Sequence, residues 1–152
     1  FKNVYYLNGH ATDLEEECTR YTSLLSQFPT DIVCLGIGEN GHIAFNDPDV
    51  ANFNDHKLVK IVKLDHVCRQ QQVNEKCFET LEQVPTEALT LTIPALLKAK
   101  WMFCIVPFKN KAQAVYRTIH GDISEKCPAS ILRRKEKSSL YLDTDSAQLL
   151  NL

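Results

Sequence analysis

The segment Ile32-Val33-Cys34-Leu35-Gly36-Ile37-Gly38-Glu39-Asn40-Gly41-His42-Ile43-Ala44-Phe45-Asn46-Asp47-Pro48 carries the first decision about this chain. Four apolar residues, Ile32 to Leu35, read as a buried strand, and glycines follow at once at 36, 38 and 41. Glycine permits positive φ and close approach of main-chain N–H groups, so such a loop at a strand end can wrap an anionic or hydroxyl-rich molecule. His42 stands where that molecule would lie. Imidazole exchanges protons near neutrality, and Asp47, five positions on, is the carboxylate that can orient it.

Working outward, strand and helix signals alternate. Val4 to Leu7 is a short apolar run closed by Asn8-Gly9, and Thr12-Asp13-Leu14-Glu15 reads as a capping box for a helix reaching Gln27. Leu58 to Leu64 alternates with lysines at 60 and 63, as a strand with one exposed face does. A polar helix is expected over 65–78, a strand over 88–93, and a short helix from Pro94. Trp101 to Val106 is the most continuous apolar run; helices over 109–119 and 144–150 flank a strand over 139–142. Strands interleaved with helices predict an α/β fold: an open, mostly parallel, Rossmann-like sheet flanked by helices, with function at the C-terminal ends of its strands.

The same glycines satisfy G-x-G-x-x-G, and Asp65 ends the next strand-like run about where a ribose-binding acid belongs. A dinucleotide site needs a helix opening at the third glycine. Asn46, Asp47, Pro48, Asp49, Asn52, Asn54 and Asp55 follow instead, and these are loop formers.

The run Leu35 to Pro48 resembles the signature loop of the glucosamine-6-phosphate deaminase/isomerase family, sister to the 6-phosphogluconolactonases. The likeness continues through Leu7-Asn8-Gly9, Val84-Pro85-Thr86-Glu87-Ala88-Leu89-Thr90 and Lys109-Asn110-Lys111-Ala112, in order along nearly the whole chain. Ile43-Ala44-Phe45-Asn46 favours the deaminase side over the lactonases, which typically continue Gly-His-Thr-Ala-Ser. The resemblance implies conversion of glucosamine 6-phosphate and water to fructose 6-phosphate and ammonia, without a cofactor. It implies that His42 assists opening of the sugar ring, with Asn40 and Asp47 orienting it and tuning its charge. One branch of the family has aspartate and glutamate at those two positions. An amide at 40 stabilises imidazolium less than a carboxylate would, which leaves Asp47 to supply the charge.

For substrate binding the resemblance points to Gly36, Gly38 and Gly41 and to Lys111, a phosphate-binding lysine at a helix start. Lys76 lies near a family phosphate-binding arginine, although a shifted alignment would favour Arg69 instead. His10, His56, His66 and His120 are expected on the surface. No metal-ligand cluster is evident in the sequence.

A chain of 152 residues, 44% apolar and 24% charged, reads as one soluble unit without repeats or linkers. The family runs to roughly 250 residues or more, the size of a larger single domain. Residues 1–152 therefore resemble the C-terminal part of a larger α/β domain. The chain opens at Phe1 and has Met102 as its one methionine, so a fragment is expected. Its N-terminal half, which in the family carries a phosphate loop and the proton-abstracting aspartate, is an expected partner. A missing neighbour would expose a sheet edge and an apolar face, so self-association into a homo-oligomer is also expected unless the rest is present.

A net charge of −2 argues against a nucleic-acid partner, and Arg133-Arg134-Lys135-Glu136-Lys137 reads as a solvated face. No apolar stretch approaches the roughly 20 residues of a membrane span. Six cysteines without a C-x-x-C pair, with Cys34 and Cys104 inside apolar runs, fit reduced, buried thiols in a cytoplasmic protein.

Overall fold

The computed structural model describes residues 2–151. Asp13 starts the first helix, α1 (Leu14–Gln27), because its side chain accepts from the N–H groups of Glu15 and Glu16. Glu15, Glu16 and Glu17 complement the positive end of that helix. The expected Thr12 capping box is thus replaced by an aspartate cap one residue later. Three strands, β1 (Ile32–Leu35), β4 (Trp101–Val106) and β5 (Ser138–Leu142), form a parallel sheet in the order β1-β4-β5. Two others, β2 (Val59–Lys63) and β3 (Glu87–Leu91), pair antiparallel in a separate sheet. The one-sheet expectation is therefore divided in two.

Between the strands lie α2 (His66–Asn74), α3 (Ile93–Leu97) and α4 (Ala112–His120), with 3-10 turns at Leu81–Gln83, Lys109–Lys111 and Pro128–Arg134. The Asp65 side chain caps α2 by accepting from the Cys68 N–H, and Thr92 caps α3, whose first turn holds Pro94. The expected helix over 144–150 is a series of turns. There Asp143 and Ser146 bind each other's backbone, an alternative to helical hydrogen bonding that short polar side chains offer.

One face of the parallel sheet, through Met102, Cys104 and Val106, is buried against Ile93, Leu96, Val115 and Ile131. Its other face is open. Ile32 pairs with Trp101 and Cys34 with Phe103, while Ile105 pairs with Tyr141, and all of these except Phe103 are exposed. The expectation that Ile32–Leu35 is fully buried and that Cys34 lies inside fails for that reason: alternate residues of a strand face opposite sides, and one side here has no cover. Among the described residues β1 is also an edge strand, paired on one side by β4.

The topology places the site. Because β1 and β4 are adjacent and parallel, the loops leaving their C-terminal ends, 36–47 and 107–111, lie side by side. The β2–β3 sheet backs the first of these loops, since the Phe45 N–H donates to Thr90 Oγ1 on β3 at 3.0 Å.

Candidate active site

The glycine loop is a folded object rather than a flexible strap. Gly38 N–H donates to the His42 carbonyl at 2.9 Å and Gly41 N–H to the Gly38 carbonyl at 2.9 Å, so the chain turns back on itself. Gly41 has φ +93, and a Cβ there would press on Cys127 Sγ at 2.8 Å. No helix opens at Gly41, which removes the dinucleotide reading. The loop is tied down from outside by Arg117, which donates to the Glu39 carbonyl at 3.3 Å, by Asn110, bonded to the Glu39 carboxylate at 2.7 Å, and by Gln71, which accepts from the Glu39 N–H at 3.1 Å.

Within this frame the His42 ring sits over Gly38, where any β-carbon would overlap it. Its Nδ1 lies 2.9 Å from Asp47 Oδ1, and Asp47 is 1% exposed. The contact is oblique: the ring does not aim a hydrogen at that oxygen, and Nδ1 has no aligned hydrogen-bond partner. Burial pushes the Asp47 carboxyl up, but the adjacent His42 ring, the hydrogen bond from Asn40 and the Asp65 N–H outweigh it and hold it below its ordinary value. Asn40 donates from Nδ2 to Asp47 Oδ1 at 2.9 Å and to Asp65 Oδ2 at 2.8 Å, and its Oδ1 accepts from the His42 N–H at 2.9 Å.

His42 faces an open cleft of about 370 Å³, within the usual size of small-molecule sites. Gly36, Gly38, Gln71, Glu75 and Lys111 share its walls. Lys111, 6% exposed, stands at the head of α4 with Nζ 3.1 Å from Glu75 Oε1, which also accepts from Gln71 Nε2 at 2.8 Å. Two of the three non-glycine residues with positive φ, Ala44 and Phe108, also line the cleft, as strained backbone tends to do at functional sites.

His42, Asn40, Asp47 and Lys111 are thus brought together, with Gly36 and Gly38 at the wall. Asn40 and Asp47 stand behind His42 rather than in the cleft, and Gly41 is a buried turn residue rather than a substrate contact. Lys76 does not reach the site. It is exposed, with φ +60, just past the end of α2, where a left-handed residue terminates the helix. Arg69, the alternative, is spent on the carbonyls of Leu81 and Val84, at 2.7 and 2.9 Å.

Sequence reading did not identify Asp65, Cys68, Gln71 and Glu75 as part of this site. Their spacing was the available signal, since 68, 71 and 75 fall three and four apart along one helical face. Nor did it anticipate that one ligand atom each from His42, Asp47 and Cys68 would lie within 4.8 Å of the others, a set that could hold a metal ion. Burial and the neighbouring Asp47 and Asp65 charges push the Cys68 thiol to about 12, so the free site carries it protonated at neutral pH.

The sequence pattern of the family described as Glucosamine-6-phosphate isomerases/6-phosphogluconolactonase matches residues 1–141. A glucosamine-6-phosphate deaminase of Bacillus cereus (strain B4264) is 43% identical over 149 residues, 98% of this chain and 55% of that protein. One of Listeria monocytogenes serotype 4a (strain HCC23) is 41% identical over 150 residues, 99% of this chain and 62% of its own length. The solved structure of a monomeric glucosamine-6-phosphate deaminase superposes with a TM-score of 0.88 at 38% identity, covering 95% of this chain and 58% of that one. A 6-phosphogluconolactonase from Trypanosoma cruzi, at 17% identity and TM-score 0.66 over 90% of this chain and 52% of that one, is alike in fold alone. The chain spans 55% to 62% of these deaminases' lengths. On this agreement the chain belongs to the glucosamine-6-phosphate isomerase/6-phosphogluconolactonase family.

Proposed function

We propose that this chain carries the ring-opening and part of the phosphate-binding machinery of a glucosamine-6-phosphate deaminase, which turns glucosamine 6-phosphate and water into fructose 6-phosphate and ammonia. The observation that carries the reading is one cleft lined both by His42, which the buried Asp47 backs, and by the buried Lys111. Lys111, aided by the N-terminal end of α4, takes the phosphate, which replaces Glu75 as its partner. His42 moves a proton to or from the ring oxygen while Asp47 stabilises the imidazolium formed. No cofactor takes part in this scheme. The proton shift between C2 and C1 needs a carboxylate base. Glu75 is the one carboxylate lining the cleft among the described residues, and it is engaged with Lys111 and Gln71, so the base is assigned to residues beyond this chain.

The same reading makes residues 1–152 the C-terminal part of a larger α/β domain. Two features support it: the chain spans little more than half the length of its relatives, and the sheet has an open β1 edge beside an uncovered apolar face. The remaining part of the relatives' length is the proposed cover, in place of a second copy. A cytoplasmic setting is supported by six free thiols, and no described helix is long and apolar enough to cross a membrane. The test is to supply glucosamine 6-phosphate to the enzyme with its whole chain present and to measure ammonia together with fructose 6-phosphate, with His42→Ala as control. Silence towards this substrate alongside hydrolysis of 6-phosphogluconolactone would move the chain to the lactonase branch. Sugar-phosphate binding without either product would make it a sensor.

A further inference from the structure

Asn40 uses both of its donor hydrogens and its carbonyl oxygen on three groups, from residues 42, 47 and 65. Both hydrogens of Nδ2 go to carboxylates, Asp47 Oδ1 at 2.9 Å and Asp65 Oδ2 at 2.8 Å, and the carbonyl oxygen holds the His42 N–H at 2.9 Å. Asp65 is anchored independently. Its Oδ1 accepts from the Cys68 N–H at 2.6 Å at the start of α2, and its own N–H donates to Asp47 Oδ2 at 3.3 Å. The contacts close a ring, Asp47–Asn40–Asp65–Asp47, with His42 attached at two points.

We infer that Asp65 is a positioning residue which acts through Asn40 and its own N–H to hold Asp47 against His42, and that this arrangement requires an amide at position 40. Two carboxylates can converge on one group only if that group donates to both. An aspartate at 40 would bring three carboxylates together with no hydrogen between them unless one takes up a proton. The glycine loop and the start of α2 are in this way locked to each other through side chains 25 residues apart in sequence. The other titratable groups around the ring are Cys68 on α2, Glu75 at the C-terminal cap of that helix and Lys111 at the head of α4.

The test uses the enzyme with its whole chain and three variants: Asp65→Asn, Asn40→Asp, and the exchange carrying both. Asparagine still caps a helix, so α2 should persist. Its NH₂ would face the Asn40 NH₂, and one of the two must turn away. Asp65→Ser, which keeps a capping oxygen and loses the second acceptor, should behave alike and guards against misfolding of one variant. Expected is a fall in kcat of about tenfold for Asp65→Asn with little change in KM, as losing one charged hydrogen bond implies. For Asn40→Asp the acidic limb of the kcat profile should move to higher pH, because added negative charge favours protonated neighbours. In the exchange variant the amide at 65 donates to the carboxylate at 40, so turnover should exceed the product of the two single losses, but that amide does not reach Asp47, so the acidic limb should stay displaced. Losses that simply multiply, or an acidic limb that Asn40→Asp leaves in place, would overturn the inference.

The inference leans on the deaminase reading only for its substrate. Were the parent enzyme to release no ammonia, that reading would fall, and the ring ¹⁵N signals of His42 would still decide the present one. The parent should hold the neutral ring proton on Nδ1, the nitrogen 2.9 Å from Asp47 Oδ1, and Asp65→Asn should weaken that preference. An unchanged tautomer in Asp65→Asn would overturn it.

Discussion

Placing a single methyl group under His42 separates a positional role for the ring from a general need for the loop. At Gly38 the three nearest atoms to an added Cβ are Cε1, Nδ1 and Nε2 of His42, all inside contact distance, whereas the backbone there lies outside the left-handed region. Gly38→Ala therefore carries no backbone strain, and its cost falls on the imidazole, which must leave its place over the loop. Two losses follow. Overpacking, or an Asp47 carboxylate left with one partner fewer at 1% exposure, costs about 1–3 kcal/mol. In a protein of the relatives' size that corresponds to a drop in Tm of about 2–10 °C. The catalytic loss should be larger, about 10²–10⁴-fold in kcat, the usual contribution of a positioned general acid or base. Ammonia release from glucosamine 6-phosphate and a thermal melt measure the two separately. The decisive comparison repeats Gly38→Ala in a His42→Ala background, where no ring remains to be displaced. If the methyl acts through His42, the double variant turns over like His42→Ala alone. Turnover of Gly38→Ala within about threefold of the parent would mean that the ring's place over Gly38 is not a requirement of the reaction, and the mechanism proposed here would fail.

Further expectations rest on separate contacts. Asp47 is held below its ordinary value, so its contribution to stability is present above the unfolded carboxylate value of about 3.9 and is lost as pH falls through the lower folded value. Urea melts between pH 3 and 6 should show the parent losing stability at the acid end more steeply than Asp47→Asn; parallel curves would contradict this. Lys111→Met removes the cleft's buried cation and should raise KM for the phosphorylated sugar by about 10–100-fold while weakening inhibition by inorganic phosphate, as loss of a charged hydrogen bond requires. An unaltered KM would take phosphate away from Lys111. A disulfide reagent at pH 8 should label exposed Cys77 quickly, while Cys34, on the sheet face that the rest of the domain is proposed to cover, should be protected in the whole chain. Cys68 and Cys104, pushed by burial to about 12, should react only after unfolding. Peptide mapping that found Cys68 labelled in the native protein would overturn the described burial.

Much of the fold was legible because its signals are local. The polar stretch from Asp65, Pro94 in a first helical turn and the apolar run Trp101–Val106 act within a few residues of themselves, and the two helices and the strand they announce stand close to where the pattern puts them. The misreadings share a different cause. Whether Ile32 or Ile105 is covered depends on what lies across the sheet, and whether 144–150 becomes a helix depends on Asp143 and Ser146 outcompeting its backbone. Periodicity also cannot tell a strand's sheet: β2 and β3 look like members of the parallel sheet but pair with each other.

The site divides along the same line. Sequence by itself determined the chemistry on offer: a strand end followed by Gly36, Gly38 and Gly41, an imidazole at 42 with a carboxylate five residues on, and a lysine at the head of a helix. Those are properties of residue type and near-neighbour spacing, which a chain carries whether or not it is folded. Only the tertiary structure decided that Lys111 shares a cleft with His42 while Lys76 and Arg69 do not, that Glu75 pairs with Lys111, and that Asp65 reaches Asn40 across 25 residues. Each of those facts is a meeting of side chains from separate elements. It is set by the parallel pairing of β1 with β4 and by the packing of α2 against the glycine loop, and no local pattern encodes it.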